Sequence, residues 1–171
     1  MKNIIFIHGL ESSGDGFKGR FFRTSLPGCL TPNFEEFSPK LSIRILLEKR
    51  MEQLTSILKE KDFWIIIGSS FGGLMATIFA FQNPKKVLKL ILLAPFLSVL
   101  ELDVKNYPPL EVPVIIFQGK NDAIVSLKQS KNLAERLFAN LKYNVMDDDH
   151  SLKNTVKALD WKKVIQLDIV K

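Results

Sequence analysis

The 171-residue sequence predicts an α/β fold: a single three-layer domain, residues 1–171, with a mostly parallel sheet of about six strands and helices on both faces. Three observations predict it. Short apolar runs such as Ile4 to Ile7, Ile65 to Ile67 and Leu90 to Leu93 are continuous rather than alternating, the pattern of strands buried on both faces. Longer segments with apolar residues at helical spacing lie between them. At Phe63 to Gln82 a strand-like run passes through a glycine-rich turn straight into a helical segment, as parallel strands joined by crossover helices require.

Lys2 to Ile7 reads as the first strand, ending in the small-residue loop His8-Gly9-Leu10-Glu11-Ser12-Ser13-Gly14. A helix is expected from about Lys18 to Ser25, and a second short strand from about Cys29 to Phe34. Ser38 or Ser42 can cap the next helix, whose Ile43, Leu46, Leu47, Met51, Leu54, Ile57 and Leu58 recur at helical spacing and read as core packing. Asp62 to Ile67 is the next strand, followed by the turn Gly68 to Gly73 and a helix from Leu74 to about Gln82, which Asn83-Pro84 stops. Val87 to Leu93 and Val112 to Gln118 are further strands. The interval from Phe96 to Val112 is short and contains Pro108-Pro109, so no lid domain is expected and the site should be open. Ser126 can cap a helix from Leu127 to Leu141, a last strand runs from about Lys142 to Met146, and a closing helix ends near Ile169.

The chemistry centres on Gly68-Ser69-Ser70-Phe71-Gly72. A serine in Gly-x-Ser-x-Gly at a strand-to-helix junction takes a strained backbone that lifts its hydroxyl clear, and Gly68 and Gly72 give room where strand and helix converge. A neutral serine is a weak nucleophile and needs a base, most often histidine. The chain has two histidines. His8 closes the first strand and reads as a loop residue; His150 follows the last strand, where it can reach Ser70. The base needs an acid partner. Asp122 leaves a strand on the same sheet edge, with Asp147, Asp148 and Asp149 as rivals. Backbone N–H groups at Phe71, which opens a helix, and at Leu10 are the natural pair of oxyanion donors. Phe96 and Leu97 are candidates for an apolar acyl pocket, although each also reads as core.

Composition narrows the alternatives. With one cysteine, Cys29, an intrachain disulfide and a cysteine-rich zinc site are excluded, and no metal or organic cofactor is implied. No apolar run reaches the roughly 20 residues that span a bilayer, and none near the amino terminus has the length of a signal-peptide core. A cytoplasmic protein is expected. The net charge of +6 is dispersed, in pairs such as Lys85-Lys86, without a nucleic-acid motif. Gly14-Asp15-Gly16-Phe17-Lys18-Gly19 matches a dinucleotide fingerprint, but Gly9 to Ser13 separate it from the strand whose end should carry the first glycine. The rival readings are therefore a nucleotide-dependent enzyme using that loop and a non-catalytic binding or scaffold protein.

The ordered set His8-Gly9-Leu10, Gly68-Ser69-Ser70-Phe71-Gly72-Gly73, Gly119-x-x-Asp122 and His150 resembles the alpha/beta-hydrolase superfamily, and within it the small, lidless bacterial esterases. The resemblance implies a trimmed hydrolase fold with Ser70 as nucleophile, His150 as base, Asp122 as acid, and Leu10 and Phe71 as oxyanion donors. It implies hydrolysis of a carboxylic ester, with thioester second, on small or short-acyl substrates. Where many relatives carry glycine before the histidine, this chain has three aspartates. That acidic turn is expected to favour the protonated ring and move activity toward higher pH.

Overall fold

The computed structural model describes residues 3–98 and 108–166. Among these, five strands form one parallel sheet: β1 (Asn3–Ile7), β2 (Trp64–Ser69), β3 (Val87–Leu93), β4 (Val114–Gly119) and β5 (Leu141–Met146). They lie side by side in chain order, each paired in parallel with the next. Every strand therefore delivers its following loop to the same edge, where sites of open parallel sheets are built.

Because side chains alternate along a strand, consecutive apolar residues feed two different cores. On one face Ile5, Ile7, Ile66, Leu90, Leu92 and Ile116 meet α2 (Ile43–Leu58), α3 (Phe71–Gln82) and α4 (Leu127–Leu137). On the other, Ile4, Phe6, Ile65, Ile67, Ile91 and Phe117 meet α1 (Phe17–Ser25), α5 (Lys153–Ala158) and α6 (Trp161–Val164). Ile65, Ile66 and Ile67 are all fully buried, and each such side chain contributes about 1.5–3 kcal/mol of burial free energy. The continuous runs of the sequence are thus a consequence of two covered faces.

Four expected boundaries shift. The second short strand expected at Cys29 to Phe34 is reduced to one bridge, Ile5 with Leu30, so the sheet has five strands rather than six. Pro32 has no N–H to extend a ladder, and the chain there turns to pack against Gly14. α3 begins at Phe71 rather than Leu74, so both elbow glycines after Ser70 lie inside its first turn. α4 stops at Leu137, with Phe138 as its cap and Leu141 already in β5. The single closing helix is two, because Asp160 caps a new one by accepting from the Lys163 N–H. Its expected end near Ile169, and most of the segment that bears on the absence of a lid, lie outside the described residues. Ser42, of the two expected caps for α2, accepts from the Ile45 N–H.

Candidate active site

β2 ends in the elbow. Ser70 has φ 52° and ψ −114°, a backbone conformation that costs a non-glycine residue about 1–3 kcal/mol. It is held there from three sides: its N–H donates to Leu93 O at 2.9 Å, and its carbonyl accepts from Gly73 N at 2.9 Å and Phe96 N at 3.1 Å. The glycine requirement is steric. A Cβ on Gly72 would lie 2.2 Å from Ile7 O, and one on Gly68 would lie 2.6 Å from Gly72 O. Any larger residue would push α3 off the sheet and swing the hydroxyl away.

The loops after β4 and β5 supply the other two side chains. His150 Nε2 stands 3.1 Å from Ser70 Oγ, and His150 Nδ1 stands 2.8 Å from Asp122 Oδ2. The Asp122 carboxylate is fully buried. Its Oδ1 accepts the N–H groups of Ile124 and Val125 at 2.9 and 2.8 Å, and its Oδ2 lies within 3.4 Å of Gln118 Nε2. A carboxylate so fixed selects the tautomer with the proton on Nδ1, which leaves Nε2 free to accept from the serine hydroxyl. Ser70, His150 and Asp122 thus form one connected chain from three different strand ends.

The loop after β1 lies against this chain. Gly9 abuts Ser70, Leu10 lines the cavity in front of it, and Phe71 is the first residue of α3, whose N–H no helical carbonyl can accept. Beneath the loop is a residue that the periodicity reading passed over. Arg50 is fully buried in α2, donating from Nη1 to Gly9 O at 3.2 Å, from Nη2 to Leu10 O at 2.9 Å and from Nε to Glu35 O at 2.7 Å. Its guanidinium also lies 5.6 Å from the Phe71 ring centre. In a trans peptide the N–H points opposite to the carbonyl. Drawing Gly9 O toward Arg50 therefore turns the Leu10 N–H away from it. The sequence did hold a signal, since Arg50 is the charged member of the inward row Leu46, Leu47, Leu54 and Leu58.

Residues 38–167 match the model of the family described as Alpha/beta hydrolase domain. The chain belongs to the alpha/beta-hydrolase family. Solved structures agree on the fold. Ferulic-acid-bound Est1E from Butyrivibrio proteoclasticus superposes with a TM-score of 0.75 at 17% identity, over 96% of this chain and 88% of that one. Alpha/beta hydrolase domain-containing protein 10 from mouse gives 0.69 at 20% identity, covering 90% of this chain and 84% of its own. The Bacillus cereus carboxylesterase gives 0.69 at 19%, covering 95% and 88%. No curated protein matches the chain.

In this member of the alpha/beta-hydrolase family a cavity of about 620 Å³ opens over Ser70 and His150. Phe96 lines it with Phe6, Phe17, Ile43 and Ile124. Leu97 does not: it is buried among the core residues on the α3 face, against which Phe96 also packs. His8 is also apart from the triad. It is buried, with Nδ1 2.8 Å from Gly9 O and Nε2 accepting the Phe34 N–H at 3.2 Å.

The three aspartates have separate tasks, and none of the hydrogen bonds that their carboxylates make reaches the His150 ring. Asp147 pairs with Lys120 at 2.9 Å. Asp148 is buried and accepts from Asp149 N, Thr155 N and Thr155 Oγ1 at 2.8–2.9 Å. Asp149 accepts from Ser151 N and Oγ. They brace the loop that presents His150.

The Gly14 to Gly19 loop is likewise explained by packing. A Cβ on Gly19 would lie 1.9 Å from Gly14 O, and the Gly14 N–H already donates to Asn33 Oδ1 at 2.7 Å. The glycines let the entry to α1 close on itself, and that amide is not free for a pyrophosphate. Cys29 is buried and its thiol is pushed up to about 12 by burial, so it stays protonated and unreactive. No helix among the described residues is long and apolar enough to cross a membrane, and no group of metal-ligating side chains occurs among them.

Proposed function

We propose that the protein is a serine hydrolase that cleaves a carboxylic ester of a small or short-acyl substrate through an acyl-enzyme. One observation carries this reading: His150 joins the Ser70 hydroxyl, at 3.1 Å, to a buried and doubly amide-bonded carboxylate, at 2.8 Å. Nucleophile, base and orienting acid are within transfer distance before any substrate arrives.

In the reaction Ser70 Oγ attacks the ester carbonyl as its proton passes to His150 Nε2. The oxyanion takes the N–H groups of Leu10 and Phe71, where the amino end of α3 adds a favourable dipole. Asp122 holds the Nδ1 proton and stabilises the imidazolium. Collapse expels the alkoxide, which takes the proton from Nε2, and water repeats the sequence to free the acid. The apolar wall formed by Phe17, Ile43, Phe96 and Ile124 suits a short acyl chain. The esterases among the structural neighbours agree with ester as the bond cleaved.

The test is intact mass after exposure to a small organophosphonate, run beside Ser70→Ala, His150→Ala and Asp122→Asn. A single adduct is expected on the parent, none on Ser70→Ala, and labelling slowed by about 10³-fold or more in the other two. A folded parent that takes no adduct would leave a binding protein with a hydrolase fold as the reading to pursue.

A further inference from the structure

Two lysines converge on the cavity beside His150. Lys18, in the first turn of α1, and Lys153, the first residue of α5, both line it together with Ser151. The packing of α1 against the last helices brings them together: Phe22 meets the Trp161 ring edge-on at 4.6 Å, and Lys157 lies 5.6 Å from the Phe17 ring centre. Neither Lys18 nor Lys153 takes part in an ion pair within 4 Å among the described residues. The carboxylates nearest to them, Asp148 and Asp149, are occupied by Thr155 and Ser151. Burial pulls the Lys18 ammonium down to about 8, against the upward pull of Asp149. Glu11, the acidic residue on the cavity wall, also borders a neighbouring cavity of about 880 Å³ that runs to Asn33, Glu36 and Phe37, and forms no ion pair with either lysine among the described residues.

The position of these cations decides what they can meet. His150 Nε2 must protonate the departing alkoxide, so the alcohol half of the ester occupies the space next to His150. Ser151 and Lys153 continue the same loop, and Lys18 faces it. We infer that the leaving alcohol carries an anionic group, a carboxylate or a phosphate, which Lys18 and Lys153 receive. The inference rests on the proposed acyl transfer. It adds no step to it: the anion stays on the alcohol, and its fixed position aligns the leaving oxygen with Nε2.

The experiment compares kcat/KM at low salt, each value divided by the ester's alkaline hydrolysis rate. The pairs are 4-acetoxybutanoate and 2-acetoxyethyl phosphate against butyl acetate, which place a carboxylate or a phosphate on the alcohol, and monomethyl adipate against methyl hexanoate, which places the charge on the acyl side. A preference of roughly tenfold for one of the two anionic alcohols is expected, the worth of one charge-assisted hydrogen bond. Which of them it is identifies the anion. In Lys18→Gln with Lys153→Gln that preference should fall to about twofold or less. Lys153 is exposed, so Lys153→Gln alone keeps the test intact if the double variant does not fold, and it should lower the same ratio. On the parent, the free alcohol of the preferred ester, 4-hydroxybutanoate or 2-hydroxyethyl phosphate, should inhibit more strongly than 1-butanol. Phosphonate labelling of Ser70 with no preference for either anionic alcohol, or with a preference on the acyl side only, would overturn this inference and leave the hydrolase standing. Failure to label would overturn both.

Discussion

A buried guanidinium costs several kcal/mol in lost hydration unless acceptors replace the water, and Arg50 finds three in the carbonyls of Gly9, Leu10 and Glu35. Two of those carbonyls belong to the loop whose Leu10 N–H would hold the oxyanion. Replacing Arg50 by Met keeps bulk but leaves the half-buried carbonyls of Leu10 and Glu35 without this donor and Gly9 O with His8 Nδ1 in place of two donors, and replacing it by Lys keeps charge without the planar fork that spans them. Both variants should lose about 2–4 kcal/mol of stability, read by urea denaturation. In the temperature range where they stay folded, kcat on a neutral ester should fall by roughly 10–100-fold with KM changed much less, because the oxyanion exists only in the transition state. An unaltered kcat in a folded Arg50→Met would restrict the residue to stability. Ser70, Asp122 and His150 were legible because each follows a strand and brings a side-chain chemistry with few other uses at that place. Arg50 was not, because a charge on an inward helical row says only that it is partnered, and its partners are backbone atoms distant in sequence. Leu97, which reads as core or pocket in the sequence, is core, while Phe96 reaches the cavity as well.

The elements were read best where one residue type forces a boundary. Asn83-Pro84 ends α3 and Ser126 starts α4 as expected. The start of α3 was misjudged because Gly72 and Gly73, weak helix formers, are there for close approach, Gly72 to the end of β1 and Gly73 to Pro95, rather than for a turn. The loop from β5 to α5 was read by charge and works by hydrogen bonding. Asp148 accepts two N–H groups and one hydroxyl within the segment that presents His150. Burial alone would raise its carboxyl, but the bonds from Thr155 and Asp149 outweigh that and hold it below the usual range. An unfolded Asp titrates at about 3.9. Asp148 therefore stabilises the fold fully above that pH, and the contribution is lost as pH falls through its lower folded value. Asp148→Asn should cost about 1–3 kcal/mol at pH 7. The gap between parent and variant, followed by thermal unfolding from pH 7 to 3, should hold constant down to about pH 4 and narrow below it. A gap that is the same at pH 3 would show that the carboxylate charge is irrelevant to the loop.

At the scale of the whole molecule the three-layer order was visible because both faces of the sheet are covered, and continuous apolar strands can mean little else in a chain of this length. Less visible was the way β1, the segment around Phe34, and α2 are joined beneath the candidate active site. His8 accepts the Phe34 N–H through Nε2, its Nδ1 proton is directed at Gly9 O, and Arg50 takes the other side of the same loop. Nε2 can accept that N–H only while it carries no proton. The ring is buried, and burial lowers its pKa below 6.5, with the Arg50 charge acting in the same direction and the Gly9 bond opposing. An unfolded chain then binds a proton at this histidine at a higher pH than the folded one. Stability should rise with pH across the window from the lowered folded value up to 6.5, and acidification from pH 7 to 5 should weaken the molecule before any carboxylate of ordinary strength titrates. His8→Gln should be less stable than the parent at pH 7, through the cost of a repacked ring site, yet lose less on the way to pH 5. Denaturant unfolding of the two at pH 7, 6 and 5 makes the comparison in a window separate from that of Asp148. Parallel losses in both would mean that His8 is protonated in the folded state as readily as in the unfolded one, and the Phe34 hydrogen bond would then have to break at a pH where the protein is still folded.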